Sequence, residues 1–244
     1  MQHPEVVSEV RPSVSPLEFQ APHRELLNFT IRIVTNDYDL QRVQQLRATA
    51  YGHHLPHLAE QFGKPDPLDR SDDVVIFCAE DKATGDIVGS CRIQVNRSSI
   101  LQIQTCIDTP DRLRGKLLSE ITRLSVLPGY GDRLVRMALV KACHLHNIAM
   151  QVTGIFAGSR RSLMRQYRAL GFSDLYGDER EVPLTYSGGL PHRILWLDSV
   201  SAEADWLAMA HPFYNFIFRT WHPDISIFSA VHGMSRKDAL TPSC

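Results

Sequence analysis

Two periods of apolar and polar residues divide the chain into strands and helices. Residues 29–34 alternate and predict a first strand. Leu40, Val43, Leu46 and Ala50 share one face of a helix over 40–51, which residues 36–39 can cap. Residues 52–73 hold His53, His54, His57, Pro56, Pro65, Pro67 and several aspartates, with room for only a short helix near 58–62. A loop of that length in a compact domain is usually functional or disordered. Residues 74–79 and 87–95 flank the turn at 81–86 and predict a central antiparallel hairpin. An alternating run at 118–126 enters the turn 127–132, and a helix follows with Leu134, Met137, Ala138 and Val140 apolar. Asp132 is placed to cap that helix.

Further along, 150–156 reads as a strand and 160–170 as a basic helix that ends at Gly171. Residues 182–186 and 193–197 predict a last hairpin, and 202–209 a helix. An aromatic-rich segment, 211–221, closes the patterned part. The order predicts one mixed, mostly antiparallel α/β sheet flanked by helices, with a C-terminal helical extension, rather than a doubly wound sheet. The expected organisation is a flexible tail over 1–28, a core over 29–198, and an aromatic-rich helical extension and tail over 199–244.

Composition narrows the classes. The chain has 244 residues and a formal net charge of −1, so charge offers no argument for nucleic acid. No run is long and apolar enough to cross a bilayer, and residues 1–16 lack the apolar centre of a secretory signal. Cys78, Cys91, Cys106, Cys143 and Cys244 form no metal-ligand spacing and read as free thiols in a reducing cytoplasm. Neither they nor the histidines of 53–57 predict a metal site.

Chemistry concentrates at 118–132. Glu120 and Arg123 are charges inside an apolar strand, and such charges are either paired or placed for a task. Strand parity sets them on opposite faces, so only a bulge would let them share a cleft. A strand that ends at a glycine turn before a helix presents free backbone N–H groups, which suit a phosphate or a polarised carbonyl.

Five charged residues carry a resemblance. They are Arg47, Asp69, Arg92 in the G-x-x-V-G-x-x-R run Gly85-Asp-Ile-Val-Gly-Ser-Cys-Arg92, and Glu120 and Arg123 in the E-x-x-R-x-x-V run ending at Val126. In that order they resemble the acyl-homoserine-lactone synthases and, more closely, the bacterial N-acyl amino acid synthases of the Gcn5-related N-acyltransferase fold. The resemblance covers about 29–221. It implies transfer of a long-chain acyl group to the amine of an amino acid, tyrosine being one product class. It also implies acyl carrier protein as the usual donor, its acyl-phosphopantetheine thioester the co-substrate, and no tightly bound cofactor. The turn bears on the donor. Relatives that use coenzyme A carry R/Q-x-x-G-x-G/A there, whereas this chain has Val126-Leu-Pro-Gly-Tyr-Gly131. Pro128 removes an N–H donor and Asp132 adds a negative charge where a pyrophosphate would sit. The alternatives are a lactone synthase, a coenzyme A-dependent acetyltransferase and a non-catalytic acyl-binding module.

Direct transfer assigns roles. Glu120 is the candidate base, or else an ion-pair partner of Arg92 or Arg123. Backbone N–H groups at Ser125, Val126 and Leu127 would meet the oxyanion. By resemblance Tyr167 would protonate the leaving thiolate, its alternative being a pocket wall. Arg47 and Arg92 would grip the substrate carboxylate, with Asp69 and Arg123 beside them, or be neutralised by aspartates. Arg160, Arg161, Arg165 and Arg168 form a basic face, either a solvated helix surface or a dock for an acidic carrier protein, and Phe213, Phe216 and Trp221 would wall an acyl pocket or else be ordinary core or an oligomer contact.

Overall fold

A computed structural model describes residues 23–54, 56–130 and 132–227. The expected tails at 1–22 and 228–244, the side chains of 53–58 and the capping side chain of Asp132 lie outside the described residues. In chain order the elements are β1 (His23–Arg24), β2 (Phe29–Ile33), α1 (Asp37–His54), α2 (Pro56–Gly63), β3 (Val74–Asp81) and β4 (Ile87–Val95). Then come β5 (Leu118–Val126), α3 (Asp132–Ala149), β6 (Gly154–Ser159), α4 (Met164–Arg168), β7 (Ser173–Asp174), β8 (Glu181–Leu184) and β9 (Leu190–Asp198). The chain finishes with α5 (Ala202–Ala208), β10 (Thr220–Trp221) and β11 (Ile225–Ser226).

One sheet runs in the order β11-β2-β3-β4-β5-β6-β9-β7, with β8 paired to β9. Its pairs are antiparallel except β11 with β2 and β5 with β6. Alternation along β3 sorts the two faces. Val74, Ile76 and Cys78 pack with Val43 and Leu46 of α1, while Phe77 and Ala79 pack with Leu139 and Cys143 of α3. The α1–α2 layer therefore covers one face and α3, α4 and α5 the other.

Two irregularities position the site. Ser90 pairs with Ser125 but Arg92 pairs with Thr122, so Cys91 alone faces Arg123 and Leu124 across a bulge in β5. Arg123 takes a left-handed φ of 56° there, an unusual backbone for a residue with a side chain. The second irregularity is a split. β5 and β6 pair in parallel from Leu118 with Gly154 to Ile121 with Ala157, and there the pairing stops. Beyond it β5 stays on β4 while β6 stays on β9, opening a wedge between them.

Several boundaries differ from the sequence reading. α1 begins earlier and continues to His54, and α2 follows directly within the loop. The strand expected at 150–156 starts at Gly154, because the α3 geometry continues through Met150, whose N–H reaches the His146 carbonyl. The basic helix divides into a tight turn, Arg161–Leu163, and α4. Gly171 closes α4 at φ 84°, where a Cβ would collide with the Trp206 ring at 2.2 Å.

The expected tail and extension are also tied in. β1 pairs with β10, β11 extends the sheet beside β2, and Leu27, Trp206, Ile217 and Ile227 belong to the main core. The buried Lys141 amine of α3 holds this segment through the Phe216 carbonyl at 2.7 Å, the Thr220 carbonyl at 2.6 Å and His222 Nδ1 at 2.9 Å.

Candidate active site

The wedge opens a cavity of about 660 Å³ that is lined from both faces of the sheet. Tyr51, Phe62, Arg123, Leu184, Tyr186 and His192 belong to its lining, with Phe62 packed between Tyr51 and Arg123. The turn after β5 adds Pro128 and Gly129, α3 adds Arg136, the segment after β6 adds Arg160 and Ser162, and α4 adds Gln166. Ile121, Thr122, Leu124, Ser125 and Val126 of β5 run along it, with Tyr167 and Leu170 opposite. Gly158 of β6 keeps the wall thin, since a Cβ there would strike Leu184 Cδ1 at 2.5 Å.

Behind Arg123 lies a buried ion network, in which Arg47 Nε and Nη2 have no partner among the described residues. Arg92 is fully buried and all three of its nitrogens are engaged. Nη1 donates to Asp66 at 2.6 Å and Asp69 at 3.0 Å, Nη2 to Gln102 at 2.8 Å, and Nε to Thr122 at 2.9 Å. Arg47, also buried, donates to Asp69 at 2.6 Å. Burial pushes the Asp66 carboxyl up, but Arg92 beside it wins and holds it below the usual carboxylate range. The carboxylate-gripping role expected of Arg47 and Arg92 meets a geometric obstacle: neither lines the cavity, and Asp66 and Asp69 already neutralise them. Asp69 is likewise committed to these two arginines.

Arg123 differs. The bulge turns it off its parity face, so it sits over the Phe62 ring at 4.1 Å and lines the cavity. Its Nη2 donates to the Tyr186 carbonyl at 3.4 Å and lies 3.6 Å from Asp66. Burial lowers its pKa. The bulge thus brings Glu120 and Arg123 to the same side of the sheet.

Glu120 is fully buried beside the cavity without lining it. Its Oε1 accepts from the Tyr186 hydroxyl at 2.6 Å and its Oε2 from the Ile103 N–H at 2.9 Å. Burial raises its pKa against the opposing pull of these donors and of Arg92 and Arg123. Tyr186 was not singled out in the sequence. It occupies a tight turn before Gly188 and Gly189, both left-handed, and the double glycine was its only local signal. Asp66 was likewise read as loop, although it caps the turn Pro67–Arg70 and holds Arg92.

Along β5 the Leu127 N–H donates to the Val88 carbonyl at 2.9 Å, so it is not available to an oxyanion. Alternation points the Ser125 N–H the same way and turns the Val126 N–H toward the open wedge. Tyr167 lines the cavity edge-on to Phe172, with no hydrogen-bond partner for its hydroxyl among the described residues, and burial raises its pKa. Arg160 lines the cavity near His192, while Arg161, Arg165 and Arg168 are exposed. Arg168 lies 3.7 Å from Glu179. Phe213, Phe216 and Trp221 lie outside the cavity. Phe213 and Phe216 pack on the main core, under Arg133 and Lys141 respectively, and Trp221 is 53% exposed beneath Arg24. Phe213 and Phe216 hold the C-terminal segment against α3, and Trp221 packs against β1.

Comparison with solved structures finds the same fold. FeeM, an N-acyl amino acid synthase from uncultured soil microbes, superposes with a TM-score of 0.55 at 14% identity, over 75% of this chain and 97% of that one. A putative acetyltransferase of the Gcn5-related family from Desulfovibrio desulfuricans gives 0.51 at 15%, over 70% and 99%. Comparison with curated proteins gave no match. The family model described as N-acyl amino acid synthase FeeM matches residues 42–189, which hold the bulge, the wedge and every charged residue of the network. The chain belongs to the FeeM N-acyl amino acid synthase family and is an N-acyltransferase.

Proposed function

We propose that this enzyme moves a long-chain acyl group from the phosphopantetheine thioester of an acyl carrier protein to the α-amine of an amino acid, with tyrosine the first acceptor to try. The observation that carries this reading is the cavity through the β5–β6 wedge, whose lining combines arginines with aromatic and apolar side chains. At the donor end Arg136 and Arg160 line the mouth, with Arg161 and Arg165 exposed next to them. These arginines make no ion pair among the described residues, which suits an acidic carrier protein and the single phosphate of its arm. The turn at 127–131, with Pro128 in place of a donor, gives little purchase to a pyrophosphate.

At the acceptor end Arg123, paired with Asp66 only at 3.6 Å, is the cavity-lining cation assigned to a carboxylate. Tyr51, Phe62 and Leu184 offer an apolar wall for an aromatic side chain. Between the ends the Val126 N–H is directed at the place where a thioester oxygen would gather charge, and Tyr167 can protonate the departing thiolate. The test is incubation with carrier-protein thioesters of several chain lengths and pooled amino acids, read by mass spectrometry. An N-acyl amino acid is expected; absence of any amide product with every acceptor would refute the reading.

A further inference from the structure

Glu120 has the chemistry of a base and lacks the access. Both carboxylate oxygens are occupied, Oε1 by the Tyr186 hydroxyl at 2.6 Å and Oε2 by the Ile103 N–H at 2.9 Å. The side chain is fully buried and forms no part of the cavity wall. Tyr186 does line the cavity. Its hydroxyl proton points back at Glu120, which leaves the oxygen lone pairs for a donor on the cavity side. Arg123, bonded to the Tyr186 carbonyl, fixes the turn that carries the ring.

We propose that Tyr186 is a catalytic residue of the acyl transfer, the cavity-facing member of a two-residue proton relay that ends on Glu120. This rests on the reading of the acceptor as an amine. The acceptor ammonium gives a proton to Tyr186 Oη as the Tyr186 hydroxyl proton passes to Glu120 Oε1. The freed nitrogen lone pair forms the N–C bond with the thioester carbon, and the C=O pair moves onto oxygen. Collapse restores C=O and breaks C–S. The nitrogen sheds a second proton and the sulfur gains one, so one proton is released to solvent overall. The relay leaves Tyr186 neutral before and after the step. That matters, because burial beside Glu120 raises its pKa far above the usual phenol range.

The groups facing the pair are Arg92 on β4, Arg123 on β5, Cys106 on the covering loop and His192 on β9. His192 is the rival base: its Nδ1 is 2.7 Å from the Leu190 carbonyl, and as the donor in that bond it leaves Nε2 bare.

The experiment is a double-mutant cycle in the assay above, on the full chain, with folding followed by thermal unfolding. Wild-type product formation tests the amine-acceptor reading on its own. Given that product, Tyr186→Phe and Glu120→Gln are each expected to lower kcat by roughly 100-fold or more with little change in donor KM. The double variant should fall no lower than the worse single, because the two act as one unit. Losses that multiply, or a Tyr186→Phe enzyme of unchanged kcat, would overturn the relay. An acid limb of the pH–rate profile that disappears in His192→Gln and persists in Glu120→Gln would also overturn it. If Tyr186→Phe fails to fold, a fluorinated tyrosine at 186 preserves shape and acidifies the hydroxyl. The relay then expects the acid limb to move to lower pH, since a stronger donor stabilises the Glu120 carboxylate, and an unmoved limb would contradict it.

Discussion

The arginines behind the cavity and those at its mouth share a chemistry and differ in their surroundings. Arg47 and Arg92 are buried and held by Asp66 and Asp69 at 2.6–3.0 Å. Arg136 and Arg160 line the mouth without ion pairs among the described residues. The contrast separates what a buried charge does from what an open one does. A neutralised guanidinium cannot also bind a ligand without leaving its aspartate exposed to an apolar interior. The inner network therefore fixes the covering layer to β4 and β5, and in the proposed function contact with substrates is assigned to Arg123 and the rim.

Substitutions should separate these roles. The largest effect belongs to the inner network. Arg92→Met strands Asp66 and Asp69, and is expected to destabilise the protein by about 3–5 kcal/mol in denaturant titrations. A cost near zero would mean the network is not structural. Arg123 is next. Arg123→Gln should leave stability close to wild type and lower kcat/KM for the amino acid by about 10- to 100-fold, as loss of a charge-assisted contact does. An unchanged acceptor KM would move the carboxylate site elsewhere. At the rim, Arg136→Ala with Arg160→Ala is expected to raise donor KM about tenfold at low salt and less at high salt, with acceptor KM unmoved. A salt-independent effect would point to a lost hydrogen bond instead.

The smallest effect concerns the clasp on the side away from the cavity. His144 and His222 are buried, and burial followed by the charge of Lys141 pulls each down to about 4. The folded form then binds fewer protons than the unfolded chain, whose histidines titrate near 6.5. Stability should therefore fall as pH drops from about 6.5 to 4, and be flat in this contribution above 6.5. His222→Gln should flatten that slope in pH-dependent thermal unfolding, and a slope of unchanged steepness would remove His222 from the account.

Much of this architecture was legible in the chain. β4 and β5 have the bounds read for them, the first from its turn-flanked apolar run and the second from its alternation. The requirement for a bulge between Glu120 and Arg123 followed from parity, and the left-handed Arg123 meets it. Contacts between distant segments were not legible. Tyr186 reaches Glu120 across 66 positions, and nothing in its local pattern names that partner. Asp66 sat in a loop read as functional or disordered, and nothing local named it as the partner of Arg92. The Phe213–Trp221 aromatics advertised burial without saying against what. Lys141, an ordinary helix residue by pattern, supplies the answer by binding the carbonyls of Phe216 and Thr220.

The claim that the two ends of the cavity take different substrates, with a carrier-protein arm at the arginine rim, is tested most directly by competition in one vessel. Equal concentrations of a heavy-isotope acyl chain on carrier protein and the light chain on coenzyme A, offered with tyrosine, should yield N-acyl tyrosine that carries mainly the heavy chain. A mainly light product would contradict the assignment of the donor end.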